Sequence, residues 1–291
     1  MEWGVGNTVT DGAAVEPKKS RAGRNLPAAI AVGATLGVAL ILILIYVPMV
    51  WIGVVAVAIA VASWEVSHRL RDAGYAIATV PLIVGGQAMI WGSWPWGTTG
   101  VLVAFTATVL VTMVWRLFMH VTDEHGHKNY LRDCSATVFV TAWLPLLASF
   151  GAMMVTQAHG SGRVFTLMIV VVCSDVGGYV AGVLFGKHPM VPAISPKKSW
   201  EGFVGSLVFG TAGAILTVEF LLDTHWWVGL ILGPVLVICA TLGDLVESQV
   251  KRDLGIKDMG TILPGHGGIM DRLDSLLPSA FIVWAVLTAL L

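Results

Sequence analysis

Charged side chains are concentrated in one stretch of the chain, residues 244–274. Its 31 residues contain ten charged side chains and His266, whereas the whole chain of 291 residues has 17 basic and 18 acidic side chains. If a helix continues through Asp244, then Glu247 and Lys251 share its face, because they follow three and seven residues later. A solvated loop is the plain alternative, but charges patterned on helix faces disfavour it.

Two further acids, Asp271 and Asp274, share a face in the same way where the next apolar segment begins. Carboxylates at two neighbouring helix ends suit Mg²⁺, whose remaining ligands would be substrate phosphates. Basic side chains of the same stretch could neutralise phosphate oxygens, Arg through paired hydrogen bonds and Lys as a point charge. These basic residues are Lys251, Arg252, Lys257 and Arg272. The stretch therefore predicts a site for a metal ion and a phosphorylated substrate.

Glycines surround the one histidine of this stretch. Gly265 precedes His266, and Gly267 and Gly268 follow it. Glycines let backbone N–H groups approach an anion closely, and a helix start nearby favours negative charge. A glycine-rich turn alone would be weak evidence, but here acids and bases bracket it. We therefore expect this turn to contact phosphate.

A second cluster lies at residues 174–202, SDVGGYVAGVLFGKHPMVPAISPKKSWEG. Asp175 falls near the middle of an apolar segment, where a carboxylate costs a few kcal/mol on insertion scales. We expect it to face a polar cavity, and a structural acid bonded to a neighbouring helix is the alternative. Downstream, Ser195, Lys197 and Lys198 form a candidate phosphate-binding loop.

Small residues recur every four positions in two apolar segments of this region. One series is Ser174, Gly178, Gly182 and Gly186, and the other is Gly202, Ser206, Gly210 and Ala214. Such stripes let the backbones of membrane helices pack closely. We interpret them as packing surfaces and infer no ligand from them.

The composition sets the class of protein that must position these residues. Hydrophobic residues make up 56 % and charged residues 12 %, with a mean hydropathy of +0.81. Soluble domains have about 25 % charged residues, and disordered chains are poor in apolar ones. Outer-membrane barrels show a far weaker apolar signal. The composition predicts an all-α, polytopic membrane protein.

A membrane helix needs about 20 apolar residues, and we predict nine such spans. Their approximate limits are 27–46, 48–64, 74–92, 98–118, 134–156, 163–186, 202–222, 225–243 and 275–291. With the N-terminus inside and the C-terminus outside, sixteen of the 17 Lys and Arg residues fall on the inner side and only Arg163 outside. The positive-inside rule favours this orientation.

The predicted organisation has three parts. Residues 1–25 are a polar cytosolic tail, 26–160 are N-terminal membrane helices, and 161–291 are catalytic membrane helices. The catalytic part presents two cytosolic loops, 187–201 and 244–274. The chemistry is therefore expected at the cytoplasmic face of the cell membrane, and nucleic acid is not an expected partner.

The motifs of these two clusters resemble the phosphatidate cytidylyltransferase (CDP-diacylglycerol synthase) family. The similar pieces are SDVGGY, FGKH, ISPKKSWEG, SQVKR from Ser248, KD from Lys257, PGHGG from Pro264 and DRLD from Asp271. The resemblance covers roughly residues 174–275. It implies synthesis of CDP-diacylglycerol and pyrophosphate from CTP and phosphatidate, an all-helical fold, a divalent metal and a homodimer.

The resemblance and the residue patterns together define a predicted site. By the resemblance, Asp244 and Asp271 match the acids expected to hold metal. The predicted catalytic residues are Asp244, Asp271, Lys251, Arg252, His266 and Arg272, and the predicted phosphate-binding residues are Ser195, Lys197, Lys198, Lys257, Gly267 and Gly268. Mg²⁺ is the expected cofactor, with a second metal ion as an open question and Asp175, Glu247 and Asp274 as further candidate ligands.

Two alternatives stay open at this point. A CTP-dependent polyprenol or phytol kinase would transfer the γ-phosphate to an alcohol, and would need a base such as Asp175 or His266. An ion-coupled transporter could use Asp175 as its ion site, but the charged stretch 244–274 is hard to explain on that reading.

Overall fold

The computed structural model describes residues 26–119, 129–262 and 267–291, with side chains from residue 33 onward in the first helix. The predicted tail 1–25 and the predicted catalytic His266, with Gly265 before it, lie outside the described residues. The described part of the chain is mainly helical. Its helices are α1 (Leu26–Tyr46), α2 (Val50–Asp72), α3 (Thr79–Phe118), α4 (Tyr130–Thr141), α5 (Leu147–Met153), α6 (Gly160–Phe185), α7 (Trp200–Leu222), α8 (Trp226–Asp253), α9 (Met270–Leu273) and α10 (Leu276–Leu290).

Seven helical segments of the described chain are long and apolar enough to cross a membrane. They are Val50–Asp72, Thr79–Phe118, Tyr130–Thr156, Gly160–Phe185, Trp200–Leu222, Trp226–Asp253 and Met270–Leu290. Large apolar side chains such as Val57, Val103 and Phe220 are exposed on their outer faces, as lipid contact requires. The helical membrane architecture is confirmed, whereas the count of nine spans and the orientation stay predictions.

The first difference from the predicted spans lies in α3, which joins the segments 74–92 and 98–118. Gly97 has a φ of 56°, a conformation that favours glycine, and Pro95 precedes it inside the helical run. The chain reverses direction there, and the evidence is that Gly100 packs against the carbonyl group of Gly92. The helical run therefore consists of two halves packed side by side.

The predicted span 134–156 is also interrupted. A π-helical turn, Ala142–Leu146, separates α4 from α5, and a 3₁₀ turn, Met154–Thr156, follows α5. Pro145 lies inside the π turn and cannot donate a backbone hydrogen bond, which explains the local irregularity. The ring of Pro145 packs against Gly86 of α3.

Helices α6 and α7 pack through the predicted small-residue stripes. A Cβ atom added to Gly202 would lie 3.0 Å from the carbonyl oxygen of Gly178 and 3.5 Å from the Cα of Gly182. Ser206 Oγ donates to the carbonyl oxygen of Ser174 over 2.8 Å. The prediction that these stripes are packing surfaces is confirmed, and close packing fixes the two helices that flank the functional cavity.

One local prediction needs correction. Besides helices, the described chain has a two-stranded antiparallel sheet, β1 (Pro189–Val191) and β2 (Ser195–Ser199), in the segment predicted as a loop. The prediction that a helix continues through Asp244 is confirmed, because α8 extends to Asp253, so the first part of the cytosolic stretch 244–274 is helical. The polar residues after the apolar stretch continue helix α8. The hydropathy pattern therefore marks where the helix leaves the membrane, and the helix itself ends later.

The packing joins the two halves of the chain. One apolar core combines residues of α2, α3 and α5 with Met259 and Met270, which lie on either side of the turn before α9. A second core combines residues of α6, α7, α8 and α10 with Leu44 of α1. The segment between α8 and α10 is therefore anchored on the N-terminal helices.

Candidate active site

A cavity of about 460 Å³ opens where α6, α7, α8 and the start of α10 meet. Side chains from both sequence clusters line it, together with β2. The charged lining residues are Asp175, Lys197, Lys198, Asp244, Asp271, Arg272 and Asp274. The fold thus brings the predicted loop 187–201 and the stretch 244–274 to one cavity.

Three carboxylates come close together at one side of this cavity. Oxygen atoms of Asp244, Glu247 and Asp274 lie within 4.8 Å of one another. Gly243 makes this possible, because its missing side chain lets α8 approach the backbone of residue 274 and Pro278. We call these three residues the acid group.

Glu247 is the buried member of the acid group. Its side chain is 0 % exposed, and its Oε1 atom has no hydrogen-bond partner among the described residues. Its Oε2 atom accepts from Lys251 one helical turn later. A buried carboxylate oxygen without a donor is costly, and a cation between the three acids would offset that cost. The donor set therefore fits a hard divalent cation, which prefers carboxylate oxygens.

Asp271 lies beside the acid group but outside it. Its Oδ1 atom accepts from Lys251 Nζ over 3.1 Å, and its Oδ2 atom accepts from the backbone N–H of Gly268 over 2.8 Å. The backbone N–H of Met259 also donates to this carboxylate. Asp271 therefore ties Met259 and Gly268 to the start of α9 in this structure, and its role as a metal ligand stays a prediction.

Basic residues line the cavity beside the acid group. Lys198 Nζ lies 2.6 Å from Asp244 Oδ2 and 3.4 Å from the carbonyl oxygen of Thr241. Asp175 is exposed to the cavity, within electrostatic reach of Asp244, Lys198 and Arg272. Carboxylates and basic side chains around one cavity suit a polyanion that binds together with a cation.

The comparisons with known proteins show which family this chain belongs to. The sequence pattern of the cytidylyltransferase family matches residues 27–290. The chain belongs to the cytidylyltransferase family. The family resemblance is therefore confirmed, and with it the predicted class of enzyme, a nucleotidyltransferase.

Individual relatives are similar over most of the chain. A phosphatidate cytidylyltransferase of Mycobacterium leprae is 59 % identical over 93 % of this chain and 90 % of its own length. One of Mycobacterium tuberculosis is 56 % identical over 99 % of this chain and 91 % of its own length. One of Staphylococcus haemolyticus is 43 % identical over 42 % of this chain and 47 % of its own length.

Several predicted residues of this cytidylyltransferase-family chain do not line the cavity. Arg252 is exposed and donates to the carbonyl oxygen of Ile194, which ties α8 to the β-hairpin. Lys257 is exposed on the segment after α8, and Ser195 begins β2 outside the cavity lining. The N–H of Gly268 donates to Asp271, and the contact of this glycine with phosphate stays a prediction.

The remaining predicted residues are close to the cavity without lining it. Lys251 sits between Glu247 and Asp271, on the far side of the acid group. Gly267 has a φ of 85°, and a Cβ atom added there would lie 3.0 Å from Asp271 Oδ2. The glycine is required at this position because the backbone is left-handed and closely packed. Its contact with phosphate stays a prediction.

Sequence reasoning missed one acid that contacts this region of the cytidylyltransferase-family fold. Glu65 of α2 is 2 % exposed, and its Oε2 atom accepts from the backbone N–H of Met270 over 3.0 Å. One turn later, Arg69 Nε donates to the carbonyl oxygen of Met259 over 2.9 Å. The sequence did contain a signal for this contact, because Glu65 follows a long apolar run and Arg69 comes four residues later.

Proposed function

We propose that this chain transfers the cytidylyl group of CTP to phosphatidate, giving CDP-diacylglycerol and pyrophosphate. The observation that carries the proposal is the cavity between membrane helices, with the acid group on one side and Lys197, Lys198 and Arg272 on its wall. Relatives that are 56 and 59 % identical bear the name phosphatidate cytidylyltransferase. A site at the end of membrane helices lets the acyl chains of a lipid substrate stay in the bilayer.

The acid group would hold a divalent cation, for which we propose Mg²⁺. Asp244, Glu247 and Asp274 supply carboxylate oxygens, and the unpartnered oxygen of Glu247 supports the assignment. When bound, the cation supplies positive charge that neutralises phosphate oxygens. Asp271 is adjacent and is the candidate for a second cation.

The basic residues would position the two anionic substrates. The phosphate of phosphatidate is already an anion, so its attack on the α-phosphorus of CTP needs no general base. The bond from the α-phosphorus to the bridging oxygen breaks, and pyrophosphate leaves with the electron pair. Lys197, Lys198 and Arg272 would hold the phosphates in line and neutralise their charge, which are the two contributions that phosphoryl chemistry most needs.

Lys198 has a defined starting position for this role. Its ammonium group contacts Asp244 before substrate is present, and its stem reaches the cavity from β2. A phosphate that enters beside the acid group competes for this ammonium group. We therefore propose that Lys198 exchanges its contact with Asp244 for a contact with substrate phosphate.

The reaction is tested with the purified protein, phosphatidate, Mg²⁺ and CTP labelled at either the α- or the γ-phosphate. The proposal predicts α-label in CDP-diacylglycerol and release of pyrophosphate, both lost with a chelator. Transfer of γ-label to lipid with release of CDP would instead identify a lipid kinase. Arg71→Gln, at the exposed end of α2, is the matched control for loss of a basic charge.

We further propose nine membrane crossings, with the N-terminus and the active site on the cytoplasmic side of the cell membrane. The fold-back at Gly97 and the 21-residue apolar helix α1 support two crossings beyond the seven long helices. Single cysteines replacing Ser195 and His225, in a cysteine-free background, test the orientation. An impermeant thiol reagent added to intact cells should label the cysteine at position 225 only.

A homodimer is proposed on the family resemblance. Its test is the mass of the protein in native-like membrane discs, where a mass of one chain would contradict it.

A further inference from the structure

The C-terminal part of α2 contacts Met259 and Met270, the second of which begins α9. Glu65 Oε2 accepts from the N–H of Met270, and Arg69 Nε donates to the carbonyl oxygen of Met259. These contacts join residues about 200 positions apart, with separations of 205 and 190. These hydrogen bonds add to the apolar contacts by which Met259 and Met270 pack against α2.

The residues held in this way are the ones that orient Asp271. The N–H groups of Met259 and Gly268 donate to the Asp271 carboxylate, and Met270 is its neighbour in the chain. Asp271 in turn binds Lys251, which binds Glu247 of the acid group. A continuous set of hydrogen bonds therefore leads from α2 to the acid group.

The fit around Glu65 is close. Its carboxylate lies against the backbones of Gly260 and Gly268, where even a Cβ atom would collide. Its Oε1 atom is buried without a hydrogen-bond partner among the described residues. Burial of an incompletely paired carboxylate does not favour stability. We therefore explain the buried Glu65 carboxylate by its contacts with Met270, Gly260 and Gly268, which it holds in position, and not by a gain in stability.

We propose that Glu65 and Arg69 are positioning residues of the active site. They act through Met259, Gly268 and Met270 on Asp271, and through Asp271 on Lys251 and Glu247, without touching substrate. The N-terminal membrane helices thereby supply part of the catalytic geometry. The proposal rests on the proposed function for its kinetic effect, whereas its structural effect is measured without turnover.

The structural readout is trypsin cleavage after Lys257 in detergent-solubilised protein. Lys257 is exposed, whereas Met259 and Gly260 next to it are buried. Glu65→Ala and Arg69→Gln should each speed release of the fragment 258–291, because Met270 or Met259 loses its hydrogen bond to α2. Ser67→Ala is the matched control, since Ser67 is buried in the same helix and has no partner among the described residues.

The kinetic readout is kcat and the Mg²⁺ concentration for half-maximal activity. Loss of a hydrogen bond to a charged group predicts a fall in kcat of about ten- to a hundredfold for Glu65→Ala. The Mg²⁺ requirement should rise, while KM for phosphatidate changes little, because the acid group and not the lipid contacts is disturbed. Glu65→Gln keeps an acceptor for Met270 and should recover most of the activity.

Specific outcomes would overturn the proposal. One such outcome is that Glu65→Ala and Arg69→Gln show the same cleavage rate and the same kcat as Ser67→Ala. The other is that Glu65→Gln is as impaired as Glu65→Ala. If Glu65→Ala does not fold, Glu65→Gln and Arg69→Gln decide the matter. If the wild-type protein makes no CDP-lipid, the proposed function fails, and the trypsin result still judges the anchoring of the turn.

Discussion

Two buried groups of charges in this molecule differ in how their charges are balanced. Arg116 of α3 and Asp133 of α4 form an ion pair whose side chains are both 2 % exposed. Two guanidinium nitrogens reach one carboxylate oxygen, at 3.0 and 2.8 Å, and Arg132 reaches the other at 3.3 Å. In this group basic side chains contact both carboxylate oxygens.

The group at the cavity is not balanced in this way. Asp244 pairs with Lys198, and Glu247 and Asp271 share Lys251. A buried oxygen of Glu247 lacks a donor among the described residues. Such an excess of acid is costly unless cations enter from solution. The difference separates a structural ion pair from a candidate cation site, because the acid group has an excess of negative charge beside a cavity and the Arg116–Asp133 pair does not.

Breaking the balanced pair should have the largest effect, and on stability alone. Asp133→Asn removes the charge of the carboxylate that accepts two hydrogen bonds from the buried Arg116 guanidinium, which costs about 3–5 kcal/mol. Thermal unfolding in detergent measures the loss, and turnover per folded molecule should be unchanged. Replacing both partners with apolar residues, Arg116→Met with Asp133→Leu, should recover much of the stability. Impaired turnover in folded protein would contradict a purely structural role.

Removing one acid of the unbalanced group should have the next largest effect, and on turnover. Asp244→Asn takes away a proposed metal-ligand charge and the partner of Lys198. Catalysis should fall at least about a hundredfold, the scale for loss of one preorganised electrostatic group. The fold should remain, as judged by thermal unfolding without metal. Near-normal synthesis of CDP-lipid at limiting Mg²⁺ would show that Asp244 holds no metal.

Addition of Mg²⁺ without substrate should sharpen the comparison further. A ligand that binds only the folded state stabilises it by about 2.7 kcal/mol at a hundred times its Kd. The wild-type protein and Asp133→Asn should both gain thermal stability with Mg²⁺ and lose it with chelator. Glu247→Gln should gain little, because the acid group is then short of one charge. An equal gain in Glu247→Gln would place the cation elsewhere.

The smallest effect should come from the basic side of the cavity. Lys198→Gln removes one charge-assisted contact to phosphate, worth about 1.5–3 kcal/mol, or about ten- to a hundredfold in kcat/KM. Arg71→Gln should change kcat/KM hardly at all, because that residue lies at the exposed end of α2. Equal values for the two variants would mean that Lys198 serves only the topology of the membrane protein.

The helices of this chain could be predicted well because membrane spans are marked by composition. The small-residue stripes predicted the close packing of α6 and α7, in which Gly178 and Gly202 touch. The end of α8 could not be predicted from hydropathy, because the polar residues from Asp244 to Asp253 keep helical geometry outside the apolar stretch. The break between two spans at Gly97 was predicted. The nearly continuous helical run from Thr79 to Phe118 across that break was not predicted.

The acids of the site illustrate the limit more sharply. Spacing within one helix predicted that Asp244 and Glu247 share a face, and the contact of Lys251 with Glu247 follows the same rule. Spacing could not decide whether Asp271 or Asp274 joins them, since both lie at the start of the next membrane segment. Gly243 decides it, because it sets how closely α8 approaches residue 274.

The sequence by itself determined the class of the protein, the family, the two charged clusters and the chemistry that their residue types allow. Only the tertiary structure decided which carboxylates form one group, that Lys198 faces it and that Glu65 reaches the turn before α9. The physical reason is that periodicity fixes directions within a single helix. Distances between helices depend on glycine contacts and on backbone hydrogen bonds between residues far apart in the chain, which no local pattern records.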